Sequence, residues 1–156
     1  MKLIKPKFWD TKNFLSFILY PLSAITYLIN IIKKLSNKKK FEIKTICIGN
    51  IFVGGTGKTS LAIEINQLLK KKFKTVFIKK NYENQLDEIT LLSNTGKIIS
   101  ATSRESALLS AVNKKYQLAI LDDGLQQKNI NYDLKIACFN SEDAFGNEYM
   151  LPAGPL

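Results

Sequence analysis

The chain of 156 residues contains no histidine. A histidine-based zinc site and a serine–histidine triad are therefore excluded within it. Cysteine is almost as scarce. Cys47 and Cys138 lie far apart in the apolar, β-branched runs TICIGN and KIACFN, with no metal-ligating neighbour at useful spacing. They read as reduced core thiols of a cytosolic domain. Acidic side chains are outnumbered, 13 against 23 basic ones, for a formal net charge of +10. The surplus is uneven: residues 1–45 hold ten lysines against Asp10 and Glu42, while residues 46–156 hold thirteen Lys/Arg against eleven Asp/Glu. The excess flanks one apolar stretch, and no aromatic–basic interleaving marks a nucleic-acid face, so an anionic membrane is the expected partner and nucleic acid is not. Internal repeats are absent, and the one short linker-like segment is the lysine-rich hinge Asn37–Lys40.

What is present begins with Phe14–Ile32, a run without a charged residue. As a helix it would be roughly 28 Å long, close to the thickness of a hydrocarbon core. It lacks a small-x-small cleavage site before the following lysines, which argues against a cleaved signal peptide. Ser16, Tyr20, Pro21, Ser23, Thr26, Tyr27 and Asn30 weaken a simple spanning reading, and Pro21 is expected to kink or divide the helix. Phe8, Trp9, Tyr20 and Tyr27, with lysines at both ends, suit a helix lying at or dipping into the interface. Lys33, Lys34 and Lys38–Lys40 place the downstream domain on the cytoplasmic side by the positive-inside rule. The expected organisation is a membrane-associated helix and hinge over 1–40, then a nucleotide-binding domain over 41–156.

The strongest motif follows. Thr45–Ile48 reads as a buried strand, and Gly54, Gly55, Thr56 and Gly57 supply a loop whose amides can face an anion. Lys58, Thr59 and a helix over Lys58–Lys71 come next. Strand, glycine loop and helix in that order form a phosphate-binding loop, with Lys58 reaching the β/γ-phosphates and the Thr59 hydroxyl on magnesium. The strict pattern asks for glycine at position 52, where Phe52 stands. Downstream, YQLAILDDG is an apolar strand ending in Asp122 and Asp123, carboxylates of the kind that hold magnesium opposite such a loop. Thr75–Ile78 and Leu134–Phe139 add strands, and a helix near Glu105–Asn113 helps cover them. The fold class is α/β, a mostly parallel P-loop NTPase-like sheet flanked by helices. Neither Asn37-Lys38-Lys39-Lys40 nor Asn113-Lys114-Lys115-Tyr116 carries the aspartate of a guanine-specificity motif, which disfavours a GTPase.

Taken together, these strings resemble the tetraacyldisaccharide 4′-kinases of lipid A synthesis. The likeness runs from Lys7-Phe8-Trp9 through Ile48-Gly49-Asn50 and Val53-Gly54-Gly55-Thr56-Gly57-Lys58-Thr59 to Leu121-Asp122-Asp123-Gly124-Leu125-Gln126. It closes with Phe145-Gly146-Asn147 and Leu151-Pro152-Ala153-Gly154-Pro155. The resemblance implies transfer of the γ-phosphate of ATP, with magnesium, to the 4′-hydroxyl of a tetraacylated glucosamine disaccharide 1-phosphate, at the cytoplasmic face of the bacterial inner membrane. It assigns Gly54–Thr59 to nucleotide, Thr59, Asp122 and Asp123 to the metal, and the catalytic carboxylate to Asp87. It departs at Lys79-Lys80-Asn81-Tyr82, where the family usually reads Ser-Arg-Gly-Tyr, and at Gln127, where it usually has histidine. Family members continue into a second part that supplies a histidine, so the chain corresponds to an N-terminal half, expected to be inactive alone. The other reading is a membrane-tethered nucleotide-binding module or ATPase without kinase activity.

Overall fold

The computed structural model describes residues 6–34, 38–50, 57–81, 86–125, 127, 129–139 and 146–155. These residues form two compact units: one within Met1–Asn37 and Phe139–Leu156, the other Lys38–Asn50 with Gly57–Cys138.

The second unit is built on five parallel strands, β1 (Lys44–Asn50), β2 (Thr75–Lys80), β3 (Ile98–Ala101), β4 (Leu118–Asp122) and β5 (Leu134–Cys138), in the order β3-β2-β4-β1-β5. Strands β1, β2 and β4 are apolar on both faces because helices cover both sides, as parallel sheets require. Alternation along the strands sorts the core into two clusters. Cys47, Val76, Ile78, Ala119 and Leu121 meet Ala107, Leu108 and Ala111 of helix α4 (Arg104–Asn113). Ile46, Ile48, Phe77 and Ile120 meet Ala62 of α2 (Lys58–Leu69) and Leu92 of α3 (Leu86–Ser93). Each fully buried side chain of this size contributes about 1.5–3 kcal/mol of burial free energy. Helix α4 starts where Ser103 Oγ accepts the Ser106 amide at 3.1 Å, a serine N-cap. The α/β class and parallel sheet are as expected. Two elements are additional to the sequence reading, α3 and β3. Cys47 is fully buried, which pushes its thiol up to about 11, whereas Cys138 is only half-buried on strand β5.

The order of the strands decides where chemistry can gather. The chain leaves β1, builds β2 and β3, then returns to insert β4 between β2 and β1. Ile48 pairs with Asp122 across β1 and β4, and Ile78 pairs with Leu121 across β2 and β4. The C-terminal ends of three strands, bearing Asn50, Asp122 and Lys79, are therefore neighbours. Open α/β sheets place ligands at this edge, where strand order reverses.

The first unit is a short 3-10 turn (Lys7–Trp9) and helix α1 (Phe14–Lys34) with residues 146–155 laid against them. Pro21 does not divide α1, which continues unbroken on both sides. A proline removes one ladder donor, and the remaining turns still propagate. The pattern of burial on α1 is inverted. Ser16 and Ser23 are buried, while Phe14, Phe17, Ile25, Leu28 and Ile32 are exposed. Ser23 Oγ donates to the Met150 carbonyl at 2.7 Å and accepts the Ala153 amide at 3.2 Å. Thr26 Oγ1 donates to the Leu151 carbonyl at 2.6 Å. Asn147 is the hub of this unit. Its Nδ2 donates to Ser16 Oγ at 3.1 Å and to the Ala153 carbonyl at 2.9 Å, and its Oδ1 accepts the Tyr149 amide at 3.1 Å. Trp9 closes the same loop from the other end, donating through Nε1 to the Pro152 carbonyl at 3.1 Å.

Truncating Asn147 leaves several buried groups unpaired, and each such group costs about 1–3 kcal/mol. The adjacent Lys12–Glu148 ion pair is solvent-exposed at 60% and 65%. Pairs of that kind are worth about 0–1 kcal/mol. Asn147→Ala is therefore expected to speed hydrogen exchange at the Tyr149 and Ala153 amides by at least about tenfold, a 1.4 kcal/mol effect, whereas Glu148→Ala leaves them nearly unchanged. Equal protection in the two variants would remove Asn147 from its hub role.

Candidate phosphate and metal site

Of the nucleotide-loop residues expected from the sequence, Gly54, Gly55 and Thr56 lie outside the described residues, and Gly57, Lys58 and Thr59 are described. Gly57 takes φ 72°, the left-handed region that glycine enters without cost, and hands the chain directly to α2. Gly57 at the N-cap makes no side-chain cap bond, and the first amides of any α-helix lack partners within the helix.

Lys58 and Thr59, the first two residues of α2, reach the end of β4. Lys58 Nζ donates to Asn50 Oδ1 at 3.0 Å and to Asp123 Oδ1 at 3.2 Å. Thr59 Oγ1 donates to Asp122 Oδ2 at 3.2 Å. The lysine and threonine of the loop thus meet the two carboxylates of the Asp-Asp-Gly string, as the spacing requires. Asp123 adopts φ 64°, a conformation aspartate tolerates better than most residues. Its amide donates to the Ile48 carbonyl at 2.8 Å, which anchors the turn to β1. Gly124 follows because the chain passes close to the core there: a Cβ would lie 2.9 Å from Cys47 Sγ.

Asp122 is buried, at 1% side-chain exposure. Its Oδ2 accepts from Thr59 and, at 3.0 Å, from Lys79 Nζ. Its Oδ1 has no hydrogen-bond partner among the described residues. A buried carboxylate oxygen left free beside a hydroxyl is a donor set that suits a hard divalent cation. No group of three or more His, Cys, Asp or Glu gathers among the described residues. Magnesium does not need one, since it is commonly held by one or two carboxylates with phosphate oxygens and water. The residues present therefore fit the ion.

Three contributors escaped the sequence reading. Lys79 is only 2% exposed and bonds both Asp122 and Glu88 of α3. Burial alone would pull its ammonium down, and the Glu88 and Asp122 carboxylates outweigh that, lifting it above the ordinary lysine range. Arg104, buried at the start of α4, donates to the Asp123 carbonyl and, at 3.2 Å, to Gln127 Oε1, which braces the Asp-Asp-Gly turn. Asn50 receives Lys58 at the tip of β1. Asp87 stands exposed in the first turn of α3 and makes no hydrogen bond or ion pair with Lys58, Thr59, Asp122 or Asp123.

Comparison with known proteins bears on the family and the fold. The sequence model of the family described as Tetraacyldisaccharide-1-P 4′-kinase, LpxK, matches residues 15–111 and 87–156. The tetraacyldisaccharide 4′-kinase of Pelagibacter ubique (strain HTCC1062) is 51% identical over 162 residues, covering 100% of this chain and 51% of its own length. That of Rickettsia canadensis (strain McKiel) is 32% identical over 174 residues, covering 100% of this chain and 53% of its own length. The chain thus spans about half the length of the curated relatives it matches. A crystal structure of LpxK from Aquifex aeolicus in complex with ATP matches with a TM-score of 0.71 at 26% identity, over 91% of this chain and 54% of that one. The family-model matches together run from residue 15 to residue 156, and on that ground the chain belongs to the tetraacyldisaccharide-1-P 4′-kinase family.

Proposed function

We propose that this chain is the nucleotide-binding part of a kinase that transfers the γ-phosphate of ATP to the 4′-hydroxyl of a tetraacylated glucosamine disaccharide 1-phosphate. The observation that carries the reading is the meeting of Lys58 and Thr59 with Asp123 and Asp122 at one edge of the sheet, in a chain of this family. Lys58 exchanges Asp123 and Asn50 for the β/γ-phosphates, and the α2 amides and loop glycines Gly54–Gly57 hold the remaining oxygens. Thr59 and Asp122 hold magnesium, with Asp123 beside them. The ion, when bound, neutralises charge on the transferred phosphoryl group. Asp87 takes the proton of the acceptor hydroxyl, oriented by a histidine from the part of the enzyme beyond this chain.

The second part of the proposal is placement. Residues 1–40 associate with the cytoplasmic face of the inner membrane and residues 41–156 with nucleotide. Phe14–Ile32 is long and apolar enough to cross a bilayer by length and composition, with a mean hydropathy of 1.8. Support for an interfacial attachment comes from the polar stripe Ser16, Ser23 and Thr26, which is bonded within the unit while Phe14, Phe17, Ile25, Leu28 and Ile32 are exposed.

In the full-length enzyme, Asp87→Ala should lower the transfer rate by about 10²–10⁴-fold with little change in ATP affinity, whereas Asp122→Asn should raise the magnesium requirement. Radiolabelled ATP with the acylated disaccharide phosphate reads both. Wild-type turnover in Asp87→Ala would remove that residue from the chemistry, and no transfer by the full-length wild type would leave a nucleotide-binding module. For placement, serine at Phe14, Phe17 and Leu28 should abolish most co-flotation with anionic vesicles, while 1 M salt, at a Debye length of about 3 Å, should only weaken that of the wild type. Undiminished flotation of the triple variant would contradict the attachment.

A further inference from the structure

Lys79 sits on a sheet face whose register is set by packing one step earlier. Phe77, two residues before it on β2, is buried in the same cluster as Leu92 of α3. Glu88 lies one helical turn before Leu92 and so on the same side of α3. The cluster that Phe77 and Leu92 share lies beside the meeting of Lys79 with Glu88, and the pairing of Ile78 with Leu121 brings Lys79 to Asp122. One ammonium serves two carboxylates, and these are unequal. Asp122 is 1% exposed and Glu88 48% exposed. Glu88 can be solvated when Lys79 is elsewhere. Asp122 cannot, and a buried charge without a partner is strongly disfavoured.

We propose that Lys79 is the resident counter-ion of the metal carboxylate: it holds Asp122 while the divalent cation is absent and rests on Glu88 when Asp122 takes the cation. This rests on the assignment of Asp122 to the metal made above. Two cations on one buried carboxylate repel, so metal affinity depends on how firmly Glu88 retains the ammonium. Lys79 is then a positioning residue that acts through Asp122. It also ties the metal edge of β4 to α3, the helix that carries Asp87.

The two ends of the bridge should move metal affinity in opposite directions. The test is Mn²⁺ titrated into the full-length protein with a non-hydrolysable ATP analogue, with free Mn²⁺ read by electron paramagnetic resonance. Lys79→Met, which removes the competing cation, should bind Mn²⁺ about three- to tenfold more tightly. Its apo form should melt lower and recover more on adding Mn²⁺ than the wild type does. Glu88→Gln, which leaves the ammonium with Asp122 alone, should bind Mn²⁺ about three- to tenfold more weakly. Because Glu88 is half-exposed, that variant keeps the test alive should Lys79→Met fail to fold. A purely structural ion pair would lower stability in both variants and leave Mn²⁺ affinity unchanged, which overturns the proposal, as would weaker binding in Lys79→Met. Asp122→Asn separates the two layers. Loss of Mn²⁺ there, with no effect of either bridge variant, sinks the counter-ion role alone, whereas wild-type Mn²⁺ binding in Asp122→Asn sinks the metal assignment and this proposal with it.

Discussion

A carboxylate sealed from water has to be compensated, and the edge of this sheet is arranged around that requirement at Asp122. Thr59 and Lys79 both bond its Oδ2, and Oδ1 has no partner among the described residues. An isolated ionised carboxylate in such a place would cost many kcal/mol, so the position is tenable only with cationic partners nearby. The inserted position of β4 makes those partners available, because it sets the ends of β1 and β2 on either side. Topology, burial and charge therefore point to the same few residues. Lys58 and Asp123 form a second, more open pair beside them, at 20% and 45% exposure. The Lys58–Asp123 pair is open to solvent, whereas the Lys79–Asp122 pair is closed to it.

The other unit obeys a different constraint. In water, a helix buries its apolar face and exposes polar groups. Helix α1 does the reverse, spending Ser16, Ser23 and Thr26 on the carbonyls and amides of residues 8 and 147–153 while Phe14, Phe17 and Ile32 face out. Three of the hydroxyls that count against membrane contact in a linear reading, those of Ser16, Ser23 and Thr26, are bonded within the unit. Most of the large side chains left outward on α1 are apolar, and exposed apolar patches mark interaction sites.

Much of the sheet is legible in the sequence because its central strands are short β-branched runs bounded by turns. Thr45–Ile48 grows only to Lys44–Asn50, and Thr75–Ile78 to Thr75–Lys80. Helix α3 and strand β3 are not legible. They are 8 and 4 residues long, too short for periodicity to separate them from loop. In the site, Lys58, Thr59, Asp122 and Asp123 are legible because motif spacing encodes a local loop and a strand end. Lys79 is not, since a lysine ending an apolar strand reads as a solvated terminus. Its burial depends on Asp122, 43 positions away, and on Glu88 in a helix the sequence does not announce. Arg104 is hidden for the same reason, its partner the carbonyl of Asp123. Asp87 is the opposite case, a residue given a role by resemblance that the described contacts do not join to the phosphate edge.

The central claim is that the edge formed by Lys58, Thr59 and Asp122 receives the magnesium–triphosphate. A crystal structure of the full-length protein with magnesium and a non-hydrolysable ATP analogue tests it most directly. The account predicts Lys58 Nζ released from Asp123 onto a β- or γ-phosphate oxygen, and the ion at about 2.0–2.1 Å from Thr59 Oγ1, with Asp122 bound to the ion or to one of its waters. A nucleotide seated away from these residues, with Lys58 still paired to Asp123 and Lys79 still the partner of Asp122, would contradict it.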